Sequence, residues 1–92
     1  MTSDLPLITV YTRAGCGLCR TAEAVVDEVA DGRARVERVD IDTAPELRAR
    51  YTFRVPVVAV DGVELFDFHV DREQLAAALA RARVPRRGET SG

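Results

Sequence analysis

Two cysteines, in the run Cys16-Gly17-Leu18-Cys19, stand where a short apolar strand passes into an amphipathic helix. This junction constrains the fold more than any other stretch of the chain. Leu7 to Thr12 read as a buried strand, Arg13-Ala14-Gly15 as a turn, and from Leu18 onward the apolar spacing is helical. Residues i and i+3 of a helix share one face, so the two thiols can reach each other. Their Cα separation there is one that a disulfide tolerates. The helix N-terminus carries partial positive charge and unpaired N–H groups, which favour a thiolate at Cys16. The thiolate is the species that attacks disulfides. Closing so short a loop removes only about 2 kcal/mol of unfolded-chain entropy, so the bridge is one that forms and breaks readily. The bland alternative is a pair of free thiols near a helix end, one packed as a small hydrophobe. The strand–turn–helix setting favours redox chemistry.

These are the only cysteines among 92 residues, a length that supports one domain with a single core. The domain is expected to span 1–92, with its core at about 6–83 and a frayed tail at 86–92. Hydrophobic residues make up 47% and charged residues 30%, the balance of an ordinary globular domain. A net charge of -2 leaves no electrostatic footprint for nucleic acid. No apolar run is long enough to cross a membrane, and no secretory leader pattern opens the chain, so the expected compartment is the cytoplasm. A reducing cytoplasm gives a structural staple little purpose, which again points to working thiols.

The remaining pattern is strand, helix, strand, helix, strand, strand, helix. Leu18, Ala22, Val25, Val26 and Val29 form one apolar stripe in the first helix, which Asp31-Gly32 should end. Val36 and Val39 lie in a second strand running to Asp40. Thr43-Ala44-Pro45-Glu46 has capping-box spacing and predicts a short helix to about Tyr51. Val57-Val58-Ala59-Val60 reads as a strand buried on both faces, and Asp61-Gly62 as a tight hairpin returning through Val63 to Phe68. Asp71 can cap a last helix with Leu75, Leu79 and Ala82 on one face, ended by Val84-Pro85. The first crossover must be right-handed, making the first two strands parallel, while the hairpin makes the last two antiparallel. The expected fold is α/β, βαβαββα, a four-stranded mixed sheet with helices on both faces.

The stretches from Val10 to Cys19, Val39-Asp40-Ile41-Asp42, Arg54-Val55-Pro56-Val57-Val58 and Asp61-Gly62 together resemble the glutaredoxin-like branch of the thioredoxin superfamily. The closest likeness is to its small bacterial members of undefined role. The resemblance covers about residues 7–82. It implies a thiol–disulfide oxidoreductase in which Cys16 is the nucleophile and Cys19 the resolving thiol. It implies a cis bond at Val55-Pro56, leaving the Val55 backbone free to pair with an extended substrate. Substrate contacts are expected from Arg13, Gly17, Leu18, Val55 and Pro56. Arg13, three residues before Cys16, is either a thiolate-stabilising or carboxylate-holding cation or a solvated turn residue. No cofactor or metal is required, since the thiols are the redox group. Expected partners are protein disulfides or small mixed disulfides, with a flavoprotein reductase or a low-molecular-weight thiol such as glutathione or mycothiol as electron donor. The protein is expected to act as a monomer.

The chain departs from that family in places. The strand entering the motif lacks the carboxylate that thioredoxins place there, and the chain has no tryptophan. Where glutathione-using relatives have paired glycines before the last helix, this chain has Asp67-Phe68-His69-Val70-Asp71. Phe68 and His69 should crowd that groove and Asp67 should repel a carboxylate, so glutathione is expected to be a poor reductant. His69, the only histidine, is expected to be a surface or packed residue and not a metal ligand. Asp40 and Asp42 read as strand-end polarity in preference to an acid–base pair. Two other functions stay open: an iron–sulfur cluster held between two copies, and a redox-inert interaction module.

Overall fold

The computed structural model describes residues 5–82. Its elements are β1 (Leu7–Thr12), α1 (Gly17–Ala30), β2 (Arg35–Asp40), a 3-10 turn (Ile41–Thr43), α2 (Pro45–Tyr51), β3 (Val57–Val60), β4 (Val63–Asp67) and α3 (Arg72–Ala82). The strands form one sheet in the order β2-β1-β3-β4. β1 runs parallel to β2, and both β1–β3 and β3–β4 are antiparallel. The expected four-stranded mixed sheet is the one observed.

Strand alternation divides the interior in two. Ile8 and Val10 of β1 join Val58 and Val60 of β3 against Val26 and Val29 of α1 and Leu75 and Leu79 of α3. Tyr11 and Val57 face the other way and meet Tyr51 and Leu47 of α2, with Ile41 beneath them. β3 is buried along its whole length, which its unbroken apolar run requires. The first face holds the larger core.

Turn chemistry accounts for most boundaries. Asp61 and Gly62 have φ of 50° and 87°, the paired positive values of a two-residue hairpin that matches strand twist. Asp71 caps α3, its Oδ1 accepting the Gln74 N–H at 2.9 Å. Three details correct the sequence reading. The capping box at Thr43 does not form: Ala44 is the N-cap of α2 without a side-chain bond. Thr43 Oγ1 instead donates to the Asp40 carbonyl at 2.7 Å, because a 3-10 turn has inserted itself after β2. The return strand ends at Asp67, not Phe68, and carries a bulge with Leu65 as the extra residue opposite Val58/Ala59. The expected stop at Val84-Pro85 and the tail at 86–92 lie outside the described residues.

Candidate active site

The antiparallel register Tyr11↔Val57 puts the carboxyl end of β1 beside the start of β3. The segments 13–19, 55–56 and 67–69 therefore gather at one end of the sheet. Cys16 is the N-cap of α1, in extended conformation. Its Sγ accepts the Cys19 N–H at 3.1 Å, so one helix-terminal donor already points at this sulfur. The two cysteines are joined, with Cα atoms 5.2 Å apart. Cys19 is completely buried and Cys16 only partly so. The helix thus presents one sulfur at its mouth and hides the other in its first turn. Gly15 has φ of +78°, which a side chain would resist. Gly17 has nothing within 4 Å of where a Cβ would stand, and Leu18 is 45% exposed. The approach to Cys16 between them is open.

Arg13 is held by a carboxylate of the chain itself. Its guanidinium forks onto Asp42, Nη2 to Oδ1 at 2.7 Å and Nε to Oδ2 at 3.2 Å. That charge is neutralised by a partner 29 residues away, and the fork that would grip a substrate carboxylate is filled. Asp40 caps the 3-10 turn through Asp42 N–H at 2.9 Å, so both aspartates do structural work at the strand end.

Sequence reasoning missed a carboxylate that joins α1 to the end of β1. Glu23 follows Cys19 by one helical turn. Its Oε2 accepts from the buried Thr12 hydroxyl at 2.7 Å and from Arg20 Nη2 at 2.7 Å. Arg20 Nη2 also donates to Thr12 Oγ1 at 3.1 Å. The cluster ties the end of the strand to the first turns of the helix. The i,i+3 pairing of Arg20 with Glu23 was the only signal available in the chain, and it reads equally as a solvated pair.

Across from the cysteines, the Val55–Pro56 bond is cis. The Val55 backbone is only half available, a correction to the expectation above: its N–H donates to the Tyr51 carbonyl at 3.1 Å. Its carbonyl has no backbone donor among the described residues. The Pro56 carbonyl accepts the Phe68 N–H at 2.8 Å. Phe68 itself has φ of +69°, a left-handed conformation that costs an L side chain about 1–2 kcal/mol. Behind this wall the Tyr51 ring stacks on Tyr11, centroids 4.2 Å apart. Burial first, and then its bond to Glu64, raise the Tyr51 phenol well above its ordinary range. Arg54 grips Asp67 with two bonds of 3.1 Å and Glu64 with one of 2.8 Å. Asp67 is therefore not the free repelling charge that the sequence implied. Among the described residues no cluster of three or more histidine, cysteine or acidic side chains is placed to hold a metal ion. Nor is any helix there long and apolar enough to cross a membrane.

Two carboxylates here give the fold an acid sensitivity. Bonds from Arg20 and Thr12 hold Glu23 below the usual carboxylate range, and bonds from Tyr51 and Arg54 do the same for Glu64. A depressed folded-state value contributes stability that is complete above the unfolded value of about 4.3 and is lost as pH falls through the folded one. Melting temperatures measured between pH 7 and pH 3 should fall more steeply for the wild type than for Glu64→Gln. Parallel curves would show that Glu64 carries none of this dependence.

This sheet, with helices on both faces and a CxxC pair at the end of its first strand, is the fold of the thioredoxin superfamily. A thioredoxin from Halobacterium salinarum superimposes with a TM-score of 0.65 at 25% identity, over 87% of this chain and 78% of that one. A structure from X. campestris gives a TM-score of 0.68 at 32% identity, over 80% of this chain and 96% of that one. An uncharacterized protein of Mycobacterium tuberculosis is 36% identical over 83 residues, covering 84% of this chain and 86% of the relative. Residues 7–80 match the family described as Glutaredoxin-like domain (DUF836), and the chain belongs to that family.

Proposed function

We propose that the protein is a dithiol–disulfide oxidoreductase. The observation that carries this reading is the asymmetry of the cysteine pair: a helix-capping, partly open Cys16 joined to a wholly buried Cys19. In the reduced protein the Cys16 thiolate attacks one sulfur of a substrate disulfide. A Cys16–substrate bond forms, the substrate S–S bond breaks, and the departing thiolate takes a proton from solvent. Cys19 then gives up its proton and attacks Cys16 Sγ. The intramolecular disulfide forms and the second substrate sulfur leaves as a thiol. Two electrons pass from the two protein thiols to the substrate. An external donor, either a flavoprotein reductase or a small thiol, returns them.

Equilibration with dithiothreitol redox buffers, followed by thiol counting, tests the reading. A two-electron transition of Cys16 and Cys19 within the physiological potential range is expected, together with turnover of a disulfide substrate. A pair that never interconverts leaves only an inert module. In the reduced protein, iodoacetamide should modify Cys16 at least about tenfold faster than Cys19, because thiolate character and access both favour it. Equal rates would remove the basis for assigning the roles.

A further inference from the structure

The Phe68 backbone sits where glycine would be at ease, yet an aromatic stands there with 43% of its surface exposed. Strained residues persist only where the surroundings hold them, and they gather at ligand-contacting sites. Here the bond from Phe68 N–H to the Pro56 carbonyl fixes the residue beside the Val55–Pro56 segment, and a bond from His69 N–H to the Asp67 carbonyl closes the turn around it. Leu18, between the two cysteines in the chain and 45% exposed, adds apolar surface beside Cys16. Three of the cations near that end are paired with carboxylates of the chain itself. Arg13 is forked onto Asp42, Arg20 onto Glu23, and Arg54 onto Asp67 and Glu64. A small thiol with carboxylates would compete with these internal partners for the three guanidinium groups. With Val55 N–H already engaged, Val55 itself offers a docked chain only its carbonyl as a backbone partner. Side-chain contact with apolar surface must then supply much of the affinity.

We infer that Phe68, supported by Leu18, is a specificity-determining platform that selects a disulfide carried on an uncharged, apolar stretch of extended protein chain over a small anionic disulfide. This deepens the oxidoreductase reading and rests on it. The same two-step exchange operates, and Phe68 touches only the chain flanking the substrate sulfur.

The test compares kcat/KM for insulin, a protein disulfide, with kcat/KM for oxidised glutathione and for hydroxyethyl disulfide, a small neutral one, with dithiothreitol as reductant. Wild type should favour insulin over oxidised glutathione. In Phe68→Gly the ratio of insulin to hydroxyethyl disulfide activity should fall about tenfold, the scale expected for losing one half-exposed aromatic contact. Phe68→Asn, which also tolerates a left-handed backbone, should show the same fall and serves if the glycine variant does not fold. An unchanged ratio in the folded variant overturns the platform while leaving the oxidoreductase reading intact. So does a wild type that prefers oxidised glutathione. Absence of turnover on all three substrates by the wild type overturns the oxidoreductase reading, and the platform with it.

Discussion

Cys16→Ser is expected to reduce disulfide turnover to background, whereas Cys19→Ser should still attack substrate and then accumulate a mixed disulfide at Cys16. The order follows from position. Cys16 caps α1 and its sulfur already receives one helix-terminal N–H, so the negative charge of its thiolate is stabilised before any substrate arrives. A serine hydroxyl at that site stays protonated and is a weak nucleophile toward sulfur. Cys19 is completely buried in the first turn of the helix, where the sulfur within its reach is that of Cys16. Without it, the first exchange has no internal second step and the adduct waits for an external thiol. Mass spectrometry of each variant after incubation with a disulfide substrate reads this directly. An adduct on Cys16→Ser through Cys19, with none on Cys19→Ser, would reverse the two roles.

Tyr51→Ala should be among the most damaging substitutions to the fold. The ring is almost fully buried, stacks on Tyr11, and fills the smaller core where α2 meets the sheet. Removing a buried aromatic costs about 3–5 kcal/mol. A domain of this length holds about 5–14 kcal/mol in all. With roughly 4–8 °C lost per kcal/mol in a domain this small, the melting temperature should drop by more than about 12 °C. Tyr51→Phe separates packing from hydrogen bonding. It keeps the stack and loses only the 2.7 Å bond to Glu64, whose carboxylate retains Arg54, so its cost should stay near 1 kcal/mol. Denaturant melts of the two variants distinguish these contributions. Equal losses would mean that the hydroxyl, and not the ring, holds this face together.

The relative weight of the two faces follows from their contents. The first face is lined by aliphatic side chains from both central strands and two helices, so loss of one is shared among many neighbours. The second rests on one short helix and a few residues around Tyr51. It is also the face that supports Arg54, Val55 and Pro56, since Val55 N–H is bonded to the Tyr51 carbonyl. Loss of Tyr51 should therefore disturb the wall opposite the cysteines as well as overall stability.

What the chain declared by itself was local and periodic. The two-fold alternation of strands, the helical stripe after Leu18, the Asp61-Gly62 turn and the Asp71 cap each depend on residues within a turn or two of one another. That was enough to order the elements, give the sheet its mixed topology and set Cys16 and Cys19 at a helix mouth. Long polar side chains obey no such period. Arg13 meets Asp42 and Arg54 meets Asp67 because the sheet brings segments 29 and 13 residues apart to the same end. Glu23 reaches Thr12 because α1 lies back across the strand that precedes it. Before those registers exist, an arginine near a cysteine can equally be a substrate cation, and an aspartate near a groove a repelling charge. The left-handed backbone of Phe68 is likewise invisible in sequence, because its residue type argues against it and the bond from its N–H to the Pro56 carbonyl is made only in the fold. Local chemistry determined where the thiols stand. The tertiary structure decided which charges remain free around them, because ion pairing depends on distances that only strand register and helix packing establish.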